Sequence, residues 1–147
     1  MVSWIELKKK RYLTVEDMAA LNNNFNYLRD YYLSFGLPVD ELNDISVSHN
    51  ISPADIQQIF NCVEQNIQTI QKVLTEYLHI QNKHFKIYTW EKHPKNLKQE
   101  VYRWIDWFNH TKAYVIGYIN LKDSNGEIIT DKNNEILQVL GAFKEEN

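Results

Sequence analysis

The sequence predicts a mainly helical α+β fold: an antiparallel bundle of two long helices and one shorter helix, followed by a small C-terminal antiparallel β-meander. Three observations predict it. Two long segments carry apolar residues at spacings of three and four behind a helix-start signature. A shorter segment further on repeats the apolar pattern. The last part of the chain is dense in β-branched and aromatic residues broken by polar turns. The division falls after residue 112, with a helical bundle and a short N-terminal extended segment over 1–112. The meander covers 113–147, packed on the bundle or projecting from it.

Val2 to Tyr12 is mixed and rich in strand-forming residues, with Trp4 and Ile5 as anchors. Thr14 is a good N-cap, and Asp17 three residues on suits the positive end of a helix dipole. Met18, Leu21, Phe25, Leu28, Tyr32 and Phe35 then form one apolar seam. Gly36 supplies a left-handed C′ position and Pro38 prevents the helix resuming, so the first helix is expected over 15–35. Residues 37–51 read as a connecting loop. Ser52 caps the second helix, Pro53 sits at its first position, and Asp55 lies three past the cap. Its seam is Ile56, Ile59, Val63, Ile67, Ile70, Leu74 and Leu78, which predicts a helix over 53–80 packed antiparallel to the first.

Lys83 to Trp90 alternates and reads as a strand or extended linker. Pro94 and Asn96 open a third helix whose apolar face is Leu97, Val101, Trp104, Ile105 and Phe108, ending near Thr111. Trp107 lies off that stripe and reads as an exposed contact. Ala113 to Leu121 is strand-like. A tandem repeat follows: Asp123-Ser-Asn-Gly-Glu-Ile-Ile-Thr130, then Asp131-Lys-Asn-Asn-Glu-Ile-Leu-Gln138. Each unit is a polar turn leading into a short strand, and Asn125-Gly126 is the favoured pair for a type I′ hairpin. Residues 144–147 are expected to fray.

Composition narrows the function classes. The chain has 147 residues, 44% hydrophobic and 24% charged, which fits one globular domain. A net charge of -3 gives no basic excess to hold a phosphate backbone, so no nucleic-acid partner is expected. Lys8, Lys9, Lys10 and Arg11 form one basic run, read as a solvated edge. The N-terminus lacks the apolar core of a signal peptide, and no stretch reaches membrane-spanning length. The single cysteine, Cys62, falls within a helical apolar pattern and reads as a small buried filler.

No catalytic, cofactor-binding or metal-ligating set emerges. An EF-hand loop with Gly126 at its sixth position needs an acid at 121 and a Glu at 132, where the chain has Leu121 and Lys132. His49, His79, His84, His93 and His110 form no helical i, i+4 pair with a supporting acid. Asp17 and Asp55 are better explained as helix-start residues than as an acid–base pair. Asp106 lies in the third helix among tryptophans, and no carboxylates converge on a pocket from the sequence alone. The aromatics off the seams, Tyr31, Tyr102 and Trp107, are the candidate interface residues, because rigid rings bury much area at low entropic cost, with core packing the equal alternative for the group.

The first two helices resemble one another. Leu21-Asn-Asn-Asn-Phe-Asn-Tyr-Leu28 aligns with Val63-Glu-Gln-Asn-Ile-Gln-Thr-Ile70, so Asn24 matches Asn66. Upstream, Leu13-Thr-Val-Glu-Asp17-Met matches Ile51-Ser-Pro-Ala-Asp55-Ile, with one extra helical turn in the second copy. This pattern resembles the helical modules of tail and baseplate proteins of phages and prophages of Gram-positive bacteria. Thr14/Asp17/Met18 and Ser52/Asp55/Ile56 resemble those modules' helix starts. Val63-Glu64-Gln65-Asn66-Ile67 resembles their Ile-Glu-x-Asn core, and Thr89-Trp90 their Trp linker. The Asn-Arg pair before Ile-Glu is missing from both copies, and Asn22 stands where Glu is usual.

The resemblance implies a non-catalytic virion structural part, made in the host cytoplasm and assembled by contacts with copies of itself or other virion proteins. A homo-oligomer is the expected assembly, with no nucleic acid and no membrane. The alternative is a small phage-encoded adaptor or inhibitor that binds a host protein, and size in solution separates the two.

Overall fold

A computed structural model describes residues 2–9, 14–48, 52–80 and 97–144. The expected extended segment 83–90 and the helix start at Pro94 and Asn96 lie outside the described residues, as does 145–147. The elements are α1 (Val15–Leu33), α2 (Pro53–Glu76), β1 (His79–Ile80), α3 (Leu97–Lys112), β2 (Tyr114–Asn120) and β3 (Gln138–Lys144). The fold is mainly helical α+β.

The helix starts form as their sequences dictate. The Asp17 N–H donates to Thr14 Oγ1 at 3.1 Å while the Thr14 N–H donates to Asp17 Oδ2 at 2.9 Å. This reciprocal box satisfies first-turn N–H groups and contributes about 1 kcal/mol. At α2 the Ser52 N–H and hydroxyl both donate to Asp55 Oδ2, at 3.3 and 2.8 Å. α1 stops at Leu33, two residues before the expected end, because its last turn tightens into the reversal at Gly36, where φ is +75°. α2 stops at Glu76 rather than 80, and His79–Ile80 leave the helix to lie parallel to β3 opposite Gly141 and Ala142.

The helices run parallel, which corrects the expected antiparallel bundle. Arg29 on α1 donates to the carbonyls of Val39 and Asp40 at 3.3 and 3.1 Å. Two turns closer to the start of α1, Asn22 accepts the Ile45 N–H at 3.1 Å. The segment after α1 therefore travels back toward the helix's N-terminus. On α2 the same segment meets Asn66 through Asn43, and its residues 44–47 share a hollow with Asp55, Gln58, Ile59 and Cys62. It runs against both helices, so both point the same way. α3 follows suit: Leu21 lies beside Val101 and Ile105, and Phe25 one turn on stacks with Trp107 and Phe108 at 5.8 and 4.6 Å. The physical reason is length. α1 has 19 residues and spans about 28 Å, while a connection as long as 37–51 has an extended reach of about 45 Å.

Two extended segments are fixed by buried carboxamides. Residues 2–9 lie against α1, where Asn24 Oδ1 accepts the Ile5 N–H at 2.9 Å and Asn24 Nδ2 donates to the Ile5 carbonyl at 2.8 Å. Asn66 treats Asn43 alike, at 2.8 and 2.9 Å. The core joins Met18, Leu21, Phe25, Leu28 and Tyr32 of α1 to Val63, Ile67, Ile70 and Leu74 of α2 and Trp104 and Phe108 of α3. Tyr114, Ile116 and Ala142 close it from the sheet.

The sheet has strand order β1-β3-β2, with β2 and β3 antiparallel and Gly117 opposite Gly141. The expected meander is reduced to this pair plus the short parallel β1. Between β2 and β3 the tandem repeat pairs only at the isolated bridges Lys122–Ile128 and Thr130–Ile136.

Candidate interaction surface

Among the described residues two hollows measure about 110 and 170 Å³, lined respectively by residues such as Leu7, Leu21 and Ile105 and by Ile45, Ile59 and Cys62. Ligand pockets generally hold at least about 300 Å³. No group of three His, Cys, Asp or Glu side chains converges among the described residues. No helix there is long and apolar enough to cross a membrane. Cys62 is partly buried against the larger hollow rather than fully enclosed.

Several polar side chains among the described residues are engaged by neighbours. Glu100 accepts from Arg103 at 3.2 Å. The His110 ring meets Tyr114 edge-on at 5.4 Å between centroids. Asp106 is exposed and pairs with Lys9 at 2.9 Å. Asp44, on the surface, has its carboxyl held below the ordinary range by the hydroxyl and N–H of Ser46.

The three expected interface residues have different placements. Trp107 is a core residue, 5% exposed, and its indole N–H donates to Gln71 Oε1 at 3.1 Å. Its position off the apolar stripe reflects a face of α3 covered by α1 and α2 together, which corrects the expected exposed contact. Tyr31 is partly buried, and its hydroxyl accepts the Ile116 N–H at 3.0 Å, linking α1 to β2. Tyr102 is partly buried, with Lys9 Nζ 5.4 Å from its ring centroid. None of the three sits on the most exposed apolar surface.

That surface is the far half of the β2–β3 hairpin. Tyr114, Ile116 and Ala142 are buried at its base, whereas Tyr118 is 68%, Ile136 50%, Ile128 47% and Leu137 38% exposed. The hairpin therefore extends beyond the helices that cover its base.

Its tip has an ordered construction. The Leu121 N–H bonds to the Leu137 carbonyl at 2.9 Å, the Ile129 N–H to Leu121 at 2.9 Å, and the Leu137 N–H to Ile129 at 3.0 Å. Three residues eight apart thus close a ring of main-chain hydrogen bonds. Each turn between them is held by an aspartate. Asp123 Oδ1 accepts the N–H groups of Asn125 and Glu127, and Asp131 Oδ1 those of Asn133 and Glu135. Gly126 has φ +80° and Asn134 φ +63°, with Asn125 outside the left-handed region. The turn is accordingly a type I turn closed by a left-handed residue, not the expected type I′; the aspartate bond to the N–H two residues on selects it.

The repeated Glu-Ile pairs, Glu127-Ile128 and Glu135-Ile136, were the signal for this surface, since equivalent positions of a repeat share an environment. Tyr118 carried no such signal within its strand.

Comparison with protein-family models, with curated proteins and with solved structures finds no match for this chain.

Proposed function

We propose that the chain is a non-catalytic structural part of a phage-type particle, acting through protein–protein contacts, with the hairpin tip as its contact surface. The observation that carries this reading is the projecting hairpin: a rigidly built tip displays Tyr118, Ile128, Ile136 and Leu137 beyond a well-packed body. Isolated apolar side chains are common on surfaces, but several together on one projecting element mark an interaction site. The duplicated helix start and buried Asn have matched structural roles, so the two copies form one repeated unit, and a repeated capped-helix unit is what the resemblance to tail and baseplate modules implies.

Mass spectrometry of particles purified from cells that carry the gene tests this role. The chain is expected among the particle proteins at a fixed ratio to the others. Its absence from intact particles defeats the reading and favours an adaptor or inhibitor acting on a host protein.

A further inference from the structure

We infer that two copies of this chain pair through the outer edge of β2, antiparallel, across a two-fold axis at Ile119. This names a partner for the projecting hairpin and rests on the reading of that hairpin as a contact surface.

The direction of each main-chain group on β2 follows from two hydrogen bonds. The Leu121 N–H points across to Leu137 in the β3 direction at 2.9 Å, whereas the Ile116 N–H points away to Tyr31 at 3.0 Å. In an antiparallel ladder these directions alternate. Odd-numbered residues of β2 therefore face β3, and the main-chain groups of Tyr118 and Asn120 face outward. Neither residue's outward main-chain groups meet a partner among the described residues.

Folded proteins blunt such edges with charge, proline, a bulge or a covering element. Tyr114 to Leu121 contains no charged residue and no proline. Tyr31 covers the edge at Ile116 and goes no further. At the other end Lys122 also turns its main-chain groups outward, because its bridge to Ile128 is carried by the bonds of Leu121 and Asp123, but its charge ends the unprotected stretch. Among the described residues the uncharged open edge thus lies between Ile116 and Lys122 and is centred on Ile119.

That stretch is complementary to itself. An axis at Ile119 sets Tyr118 opposite Asn120 of the second copy, and Asn120 opposite its Tyr118. The outward N–H and C=O groups of both residues are then satisfied by four main-chain hydrogen bonds. No like charges meet across the pair, because the segment carries none. The pairing is isologous and closes on itself, so it yields a dimer and not a fibre. The strand contact is short, well below the roughly 1,200 Å² of a stable interface, so the isolated dimer is weak and gains strength only where copies are held near one another.

Sedimentation velocity on the full chain, from roughly 10 to 500 µM to suit a weak interface, is expected to show a reversible dimer of twice 17.6 kDa. Asn120→Pro removes an outward N–H at an edge position where proline leaves the β2–β3 ladder intact. It is expected to be monomeric throughout, with its helical signal retained. Ile119→Lys and Ile119→Glu are each expected to be monomeric, because like charges meet on the axis, and their mixture to regain the dimer. A wild-type chain that stays monomeric over the whole range overturns the proposal, as does an Asn120→Pro chain that dimerises like the wild type. Should Asn120→Pro fail to fold, a Lys/Glu mixture without dimer overturns it instead. A dimer in solution from a chain missing in particles leaves this pairing standing and removes the virion role.

Discussion

Asn24 and Asn66 grip two different stretches of main chain by the same pair of hydrogen bonds. Ile5, held by Asn24, stands nine residues before the cap Thr14, and Asn43, held by Asn66, stands nine before Ser52. The distance along the chain from gripped residue to carboxamide is 19 in one case and 23 in the other. The difference is the extra helical turn of α2. The duplicated unit is therefore an extended return segment, a capped helix start and a helix whose buried amide seizes the segment ahead of it.

Removing either amide leaves one partly buried N–H and one partly buried C=O without their partner. Asn24→Ala and Asn66→Ala are each expected to lower stability by about 2 kcal/mol, measured by urea unfolding. Near-equal losses are expected because the geometry is equal. A loss below about 1 kcal/mol in either variant would show that water replaces the grip.

Tyr31→Phe removes the acceptor for the Ile116 N–H and is expected to cost about 1 kcal/mol. Amide exchange read by NMR should quicken at Ile116 and stay unchanged at Leu121, whose N–H is bonded within the hairpin. Unchanged exchange at Ile116 would mean that the tyrosine hydroxyl does not protect this edge.

Tyr32 is 1% exposed, and its hydroxyl has no hydrogen-bond partner among the described residues. Burial, with a smaller contribution from neighbouring Tyr31, pushes its pKa well above the ordinary 10.0. A raised pKa means that the unfolded chain loses this proton first. The stability is fully present below pH 10 and declines as pH rises beyond it. Tyr32→Phe is expected to be neutral or slightly stabilising at pH 7 and to unfold less readily in alkali, as followed by circular dichroism. Equal alkaline sensitivity in both chains would contradict this account.

The two tip turns are expected to respond in opposite senses. Gly126→Ala places a side chain at φ +80° with open space around it, so the loss of about 1 kcal/mol is purely conformational. Asn134→Gly relieves the equivalent residue at φ +63° and is expected to gain a few tenths of a kcal/mol. Thermal melts of both variants provide the check, and a gain in Gly126→Ala would exclude the left-handed turn.

Much of the helical layer was legible because caps and apolar spacing are local. Thr14, Asp17, Ser52 and Asp55 do what their positions suggest, and the seams of α1 and α2 are buried as spaced apart from the partly buried Phe35 and Ile56 at their ends. Direction was not legible, since a seam reads the same whichever way its helix points; only the length of 37–51 hinted at a return path. Asn24 and Asn66 could be aligned with one another, yet their role stayed hidden because what they hold is main chain, which any residue supplies. Trp107 misled for a related reason: a helix flanked on two sides has a buried arc wider than one stripe. The exposure of Tyr118 was not legible, because it alternates in phase with the buried Tyr114 and Ile116, and only the reach of the hairpin past the helices exposes it.

Three helices that start at one end give this molecule an electrical polarity. Their partial positive charges gather where Glu16, Asp17, Asp55 and Glu100 stand in the first turns, and those acids offset them. The opposite pole collects the carbonyl ends, and the hairpin departs from there, since β2 follows directly on α3. Two chains joined through their hairpins would set like poles toward one another and leave both acidic poles facing outward. Any array built on such pairs would present identical outer ends, ready to receive the same neighbour on either side.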